Sequence, residues 1–374
     1  MAGKILFVAS TRSHIRTFHL PYLKALQEDG FTIHGAWGGT EGEVPHVDEI
    51  ICLPFEKQMT SLKNFRIPHI LRRRMKTEQY DCVIVHTSLA AFFTRLALIG
   101  LKHRPKVINM VHGYLFDDQT SWPKRMLLLA AEKLTAPVTD LLLTMNEWDY
   151  QTAAKHRLGK KIVNIPGIGV DYDCLDSQRA RFRPELRQSL GLTDEDFVLI
   201  YPAEFSPRKS QHILIRTMVN LPDSIKLILP GSGALLDDCK SLAAELGVSS
   251  RILFPGYITE MGAWYEMADA AVSSSRSEGL PFNIMEAMHC GLPVIASIAK
   301  GHVDLISYGH NGYLYPYGNH ILCAAQIQRL LDDQVCAAAL AKQAKIDVDK
   351  YSLSEVFPCV MAQYHSILKS PTIQ

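Results

Sequence analysis

The sequence predicts a doubly wound α/β chain built as two successive halves. Three observations carry that expectation. Short apolar runs such as Lys4-Ile5-Leu6-Phe7-Val8-Ala9 and Ala270-Ala271-Val272-Ser273-Ser274 read as strands buried on both faces of a parallel sheet. Helical segments alternate with those runs, the order that builds βαβ units. The pattern closes at Pro166-Gly167-Ile168-Gly169-Val170-Asp171 and then restarts, in a chain of 374 residues that is too long for one ordinary domain.

In the first half, a strand over 4–9 is followed by a polar turn and a helix from about Ile15 to Glu28, stopped by Gly30. Further strands are expected over 31–37, 48–54, 80–86, 107–111, 140–145 and 162–165, with helices over 122–134 and from about 149 to 157. The segment 63–76 has apolar residues at helical spacing among many cations, which reads as a solvated helix face or as a patch for anionic lipid head groups. A charged helix over 179–190, stopped by Gly191, opens the second half. Strands follow over 197–202, 226–229, 251–254, 270–274 and 294–296, with a short last one at 313–314. The intervening helices cover 210–221, 235–246, 261–267 and 282–290, and two more cover 324–332 and 335–345. A terminal helix over 353–368 keeps spare apolar positions that suit a return onto the first half. The expected domains are therefore 1–170 and 171–352, with 353–374 crossing back.

Composition narrows the function. Hydrophobic residues make up 47% of the chain and the formal net charge is +1, which fits well-filled cores and implies no polyelectrolyte partner. Cations exceed acids in the first half and the reverse holds in the second, so an anionic surface would meet the first half. No basic stripe is interleaved with aromatics, which argues against nucleic acid. The 8 cysteines are scattered without a C-x-x-C pair, the start leads directly into a strand, and the apolar run 89–101 is broken by Arg95. These features read as a reducing, cytoplasmic setting without a membrane span. The first βα turn lacks G-x-G-x-x-G, so a nicotinamide dinucleotide has no support, and there is no Asp-x-Asp pair to hold a metal.

The chemistry concentrates in 276–293, Arg-Ser-Glu-Gly-Leu-Pro-Phe-Asn-Ile-Met-Glu-Ala-Met-His-Cys-Gly-Leu-Pro. Gly279 and Pro281 keep Glu278 on a turn, and Pro281 suits the first position of a helix that Gly291 and Pro293 stop. Glu286 then lies inside a short, mostly apolar helix, where a carboxylate needs a polar partner. The start of that helix favours an anion. A carboxylate on a turn, a phosphate-ready helix start and a carboxylate on the helix suit a nucleotide sugar. A solvated turn and an ordinary helix surface would read the same on the glutamates alone.

The flanks go further. Glu278-(seven residues)-Glu286, with the Glu-Gly-Leu-Pro lead and the Gly-Leu-Pro-Val-Ile exit, resembles the E-x7-E signature of the retaining family 4 glycosyltransferases. The resemblance extends over most of the chain and is strongest from His86 to Pro293. It lies nearest to members that build capsule, exopolysaccharide and lipid-linked oligosaccharide. It implies a GT-B fold, two Rossmann-like domains facing each other across a cleft. It also implies a metal-independent, retaining hexosyltransferase, with a UDP-sugar as donor, a lipid-diphosphate-linked saccharide as acceptor and no cofactor.

Carried over by position, the resemblance implies that Glu286 holds the ribose hydroxyls, that Glu278 approaches the donor sugar, and that backbone N–H groups from Gly279 through Leu280 and Pro281 to Phe282 meet the diphosphate. In 202–210, Lys209 matches the family's phosphate lysine. Glu204 stands where an arginine is usual, and Arg208 is expected to supply the second cation. Tyr257 and Ile258 complete the donor side. His112 and Gly113 match a His-Gly turn that faces the donor sugar, and His14, His19 and Asn146 are acceptor-side candidates. A transferase acting on a small soluble acceptor, a nucleotide-sugar epimerase and a silent binding module remain the other readings of the same fold.

Overall fold

The computed structural model describes residues 3–39, 42–56, 59–182 and 185–368. They form two compact units, one running to Ile168 and joined by the segment from Glu355, the other spanning Gly169–Ser354. The terminal helix, Leu353–Leu368, buries Val356, Val360, Met361 and Tyr364 along one stripe, and His365 Nε2 lies 2.6 Å from Asp29 Oδ2 within the first unit.

The first unit holds seven parallel strands: β1 (Lys4–Thr11), β2 (Thr32–Gly38), β3 (Glu49–Leu53), β4 (Cys82–His86), β5 (Lys106–Met110), β6 (Leu141–Thr144) and β7 (Lys161–Asn164). Their order is β3-β2-β1-β4-β5-β6-β7. Ile5 through Ala9 are fully buried, as a strand covered by helices on both faces requires. The order reverses between β1 and β4, which are hydrogen-bonded neighbours.

The second unit repeats the plan with β8 (Phe197–Ile200), β9 (Ile225–Ile228), β10 (Ile252–Leu253), β11 (Ala270–Ser273), β12 (Val294–Ile298) and β13 (Tyr313–Pro316), in the order β10-β9-β8-β11-β12-β13. Its reversal falls between β8 and β11. In such sheets a crevice opens beyond the carboxyl ends of the strands at the reversal, where the two flanking loops part in opposite directions.

Four local readings change. The helix expected over 15–28 is two, Arg12–Phe18 and Leu20–Glu28, broken at His19 because Pro21 starts the second one. The charged helix expected over 179–190 is not continuous. Asp171 accepts from the Cys174 N–H and starts a helix at Tyr172 that ends at Arg179, and a separate short helix covers Glu185–Ser189. Residues 183 and 184 lie outside the described residues. Pro281 caps the helix Phe282–His289 from an extended conformation rather than opening it from within. A short helix at His302–Leu305 had no apolar period to announce it.

Candidate functional site

The loop after β8 and the loop after β11 meet at the reversal of the second sheet. Glu278 sits there almost fully buried. Lys209 Nζ donates to Glu278 Oε1 at 2.5 Å and Arg208 Nη1 donates to Oε2 at 2.5 Å. Ser275 Oγ donates to Oε1 at 2.5 Å, and Tyr201 OH lies 2.7 Å from Ser275 Oγ. Lys209 is shielded at 13% side-chain exposure, whereas Arg208 remains half exposed at 50%. Burial by itself would raise the Glu278 carboxyl, but Lys209 and Arg208 outweigh it and hold the group well below the usual carboxylate range. Burial also pulls the Lys209 ammonium down, and Glu278 opposes that shift.

The backbone holds these groups in place. Glu278 N–H donates to Lys300 O at 3.1 Å and Arg276 N–H to Arg208 O at 2.8 Å. Gly301, at φ +83°, packs so closely that a Cβ there would lie 2.8 Å from Glu278 Cβ and from Gly279 O. Behind the loop, buried His302 accepts from or donates to Ser273 Oγ through Nε2 at 3.0 Å, while its Nδ1 lies 2.8 Å from Ser297 O. The carbonyl can only accept, so Nδ1 carries the proton and Nε2 takes the Ser273 hydroxyl hydrogen. Sequence reasoning passed over Ser275, Tyr201 and His302. The run Ser273-Ser274-Ser275, three hydroxyls ending an apolar strand, was the available signal.

Glu286 lies on the next helix and finds the polar partner that its apolar company demands. Tyr265 OH donates to Glu286 Oε2 at 2.8 Å, from a tyrosine that is itself buried. Burial raises the Glu286 carboxyl, and the tyrosine hydrogen bond moderates the rise. Asn283 Nδ2 donates to Pro202 O at 3.0 Å and ties this helix to the loop after β8. Leu280 and Pro281 are buried and Phe282 is half-buried at the helix start. Tyr257 is 73% exposed and Ile258 half-buried after β10, the second strand out from β8.

The first unit carries a separate constellation at its own reversal. His14 and His19 follow β1, His86 ends β4, and His112 follows β5. His19 Nε2 lies 3.3 Å from His14 Nε2, which lies 3.4 Å from His112 Nε2, which lies 3.2 Å from His86 Nδ1. Phe7 stacks on His86 with ring centroids 4.5 Å apart. Burial lowers His14 to about 4 and puts His19, His86 and His112 well below their ordinary value, so all four rings are neutral near pH 7. His86 was not among the residues picked out by sequence. Gly113 adopts φ +108° beside His112, and Ser88 Oγ reaches its carbonyl at 3.5 Å. The Asn146 side chain caps the helix Glu147–His156, accepting from Asp149 N–H and donating to Asp149 Oδ2, both at 2.8 Å.

Two parallel-sheet units of Rossmann type, the second with Arg208 and Lys209 at its switch point, make the architecture of the GT-B glycosyltransferases. Residues 22–172 match the family described as Glycosyltransferase Family 4, and residues 182–347 match Glycosyl transferases group 1. A Bacillus subtilis protein named as a glycosyltransferase, EpsD, is 32% identical over 364 residues, covering 94% of this chain and 93% of its own length. The Escherichia coli UDP-Gal:alpha-D-GlcNAc-diphosphoundecaprenol alpha-1,3-galactosyltransferase is 26% identical over 75% of this chain and 73% of its own. In fold, HepE of Anabaena, solved in complex with UDP-glucose, superposes with a TM-score of 0.77 over 97% of this chain and 100% of its own, at 20% identity. The chain belongs to the family 4 glycosyltransferases and is a hexosyltransferase.

Proposed function

We propose that this protein moves a hexosyl group, a hexose or N-acetylhexosamine, from a UDP-sugar to a lipid-diphosphate-linked saccharide in surface polysaccharide synthesis, with retention at the anomeric carbon. The observation that carries the reading is the convergence of Arg208, Lys209 and Glu278 at the switch point of the second unit. That unit is assigned the donor and the first unit the acceptor. UDP-glucose in the complex of HepE supports the donor class, and the lipid-diphosphate acceptor in the name of the E. coli relative supports the acceptor class.

In this reading Glu278 keeps both cations charged and aimed, because an ionised carboxylate compensates two positive groups that burial would otherwise discharge or disperse. Half-exposed Arg208 is the readier of the two to exchange its carboxylate contact for a phosphate oxygen. As the bond between the anomeric carbon and the diphosphate breaks, charge grows on the leaving phosphate, and Arg208 and Lys209 stabilise it. The acceptor oxygen bonds to that carbon on the face the phosphate leaves, and the phosphate takes the acceptor proton. Two cations at that position make a metal unnecessary for departure. Glu286 accepts from the ribose hydroxyls, the N–H groups of Gly279 to Phe282 meet the diphosphate, and Tyr257 and Ile258 border the donor. His112 with Gly113 faces the sugar, and His14, His19 and Asn146 lie on the acceptor side.

The first unit also presents a surface suited to anionic lipid on the inner face of the cell membrane. Leu62, Phe65 and Ile70 are exposed beside exposed Arg66, Arg73 and Lys76, while Arg72 and Arg74 are tied to Ile99 O and to Glu49. Among the described residues no helix is long and apolar enough to cross a membrane. The direct test is transfer from labelled UDP-sugars to a polyprenyl-diphosphate-linked N-acetylglucosamine, with a soluble glycoside as the competing acceptor. Label in the lipid fraction supports the assignment, and label confined to the soluble glycoside overturns the acceptor.

A further inference from the structure

The four histidines at the switch point of the first unit pose a hydrogen-bonding problem that the transfer reading leaves open. An imidazole nitrogen in the ring plane carries either one proton or one lone pair, so it completes one linear hydrogen bond. The contacts run in a chain, His19 to His14 to His112 to His86, and the Nε2 atoms of His14 and His112 each serve twice. Four nitrogens so connected satisfy two contacts at most. One of the three short contacts is therefore left without a linear hydrogen bond, in a setting where burial makes the loss costly.

A single cation removes the conflict by accepting all four lone pairs. In a tetrahedral site with nitrogen ligands about 2.0–2.1 Å from the metal, the nitrogens lie about 3.3–3.4 Å from one another. The observed contacts are 3.2, 3.3 and 3.4 Å, and all four ligand atoms fall within 4.8 Å of one another. We propose that His14, His19, His86 and His112 bind one divalent transition-metal ion of the zinc class, through Nε2 of His14, His19 and His112 and Nδ1 of His86.

The ligand set favours zinc, cobalt or nickel over magnesium or calcium, which take oxygen ligands. Outer support is thin. His19 Nδ1 and His86 Nε2, the nitrogens facing away from the site, are buried without a hydrogen-bond partner. Ligating histidines are normally braced there, so the ion exchanges and a chelator removes it. A bound ion occupies the His112 Nε2 lone pair, so it excludes a direct role for that atom at the sugar. The inference reassigns His112, His14 and His19 from the sugar and acceptor roles of the transfer reading to the ion, and it rests on none of Arg208, Lys209, Glu278 and Glu286.

The experiment titrates Co²⁺ into the full chain after EDTA treatment and removal of the chelator, following visible absorption, with Zn²⁺ competition and elemental analysis. One equivalent of cobalt with the intense bands of a tetrahedral nitrogen site, displaced by zinc, is expected. His14→Ala, at one of the two partly exposed positions, should weaken uptake at least tenfold, and His86→Ala should abolish the tetrahedral spectrum. UDP binding at the second unit and a thermal melt report whether each variant is folded. If the folded wild-type protein takes up no stoichiometric cobalt, or folded His14→Ala binds it unchanged with the same spectrum, the site is overturned. Either result leaves the donor assignment intact, and loss of UDP binding by the wild type would fail the transfer reading without touching this one.

Discussion

Lys209 Nζ and Glu278 Oε1 stand 2.5 Å apart, on loops 69 residues apart in sequence that the strand order of one sheet brings together. The carboxylate is nearly buried and engages a second cation, Arg208, on its other oxygen. Glu278 thus fixes the position of both cations.

Lys209→Ala separates the structural part of this pairing from its part in turnover. Glu278 keeps Arg208 and Ser275, so the variant should fold with a loss of about 1–3 kcal/mol. Turnover should fall on the order of 10²–10³-fold, the scale set by removing one stabilising donor from a transition state. Thermal melts and saturating-donor kinetics on the same preparation separate the two effects, and near-wild-type turnover would remove Lys209 from the site.

Gly301→Ala probes the same cluster from behind. The added methyl meets Glu278 and Gly279 at a left-handed backbone position, so the loop must shift. A stability loss of about 1–2 kcal/mol is expected, together with a larger proportional loss of UDP-sugar affinity. Calorimetric titration would show it, and unchanged affinity would mean that the Glu278 loop does not shape the donor site.

Glu286 sets a pH dependence. Its carboxyl is raised by burial, and donor binding in the proposed role needs the charged form. Affinity for UDP should therefore weaken as pH falls, beginning above the ordinary carboxylate range. Tyr265→Phe removes the hydrogen bond that moderates the rise, so the acid limb should move to higher pH. Glu286→Gln should lack this limb and retain only the titration of the nucleotide itself. Titrations at several pH values compare the three proteins, and superimposable profiles would contradict the ribose role.

For the basic helix, combined Arg66→Glu, Arg73→Glu and Lys76→Glu should abolish sedimentation with vesicles rich in anionic lipid while leaving donor hydrolysis unchanged. Each cation is worth about 1 kcal/mol near such a surface. Arg72, whose guanidinium donates to the carbonyls of Ala97 and Ile99, should matter to stability instead.

Much of this architecture was legible because the buried parallel strands are continuous apolar runs and the helix stops are glycines. The terminal helix, for instance, stands at Leu353–Leu368, where its apolar positions placed it. The boundaries that moved did so through caps and prolines. Asp171 starts a helix at Tyr172 that no apolar period announces, and Pro21 splits a helix at His19. At the site, Glu278, Glu286 and Lys209 were visible as a motif with fixed spacing. Their mutual pairing was not, because it depends on β8 and β11 being sheet neighbours although 70 residues separate their loops. The same holds for His86, which ends an unremarkable apolar strand and acquires meaning only beside His112.

In the proposed function the second unit binds a nucleotide sugar through Glu286, Arg208 and Lys209. The most direct measurement is calorimetric titration of the protein with a panel of nucleotide sugars in EDTA, with Glu286→Ala alongside. One UDP-sugar is expected to bind without metal, and the variant to lose affinity by about 1.5–3 kcal/mol, the worth of a charged hydrogen bond. Failure of every nucleotide sugar to bind, or equal binding by folded Glu286→Ala, would contradict it.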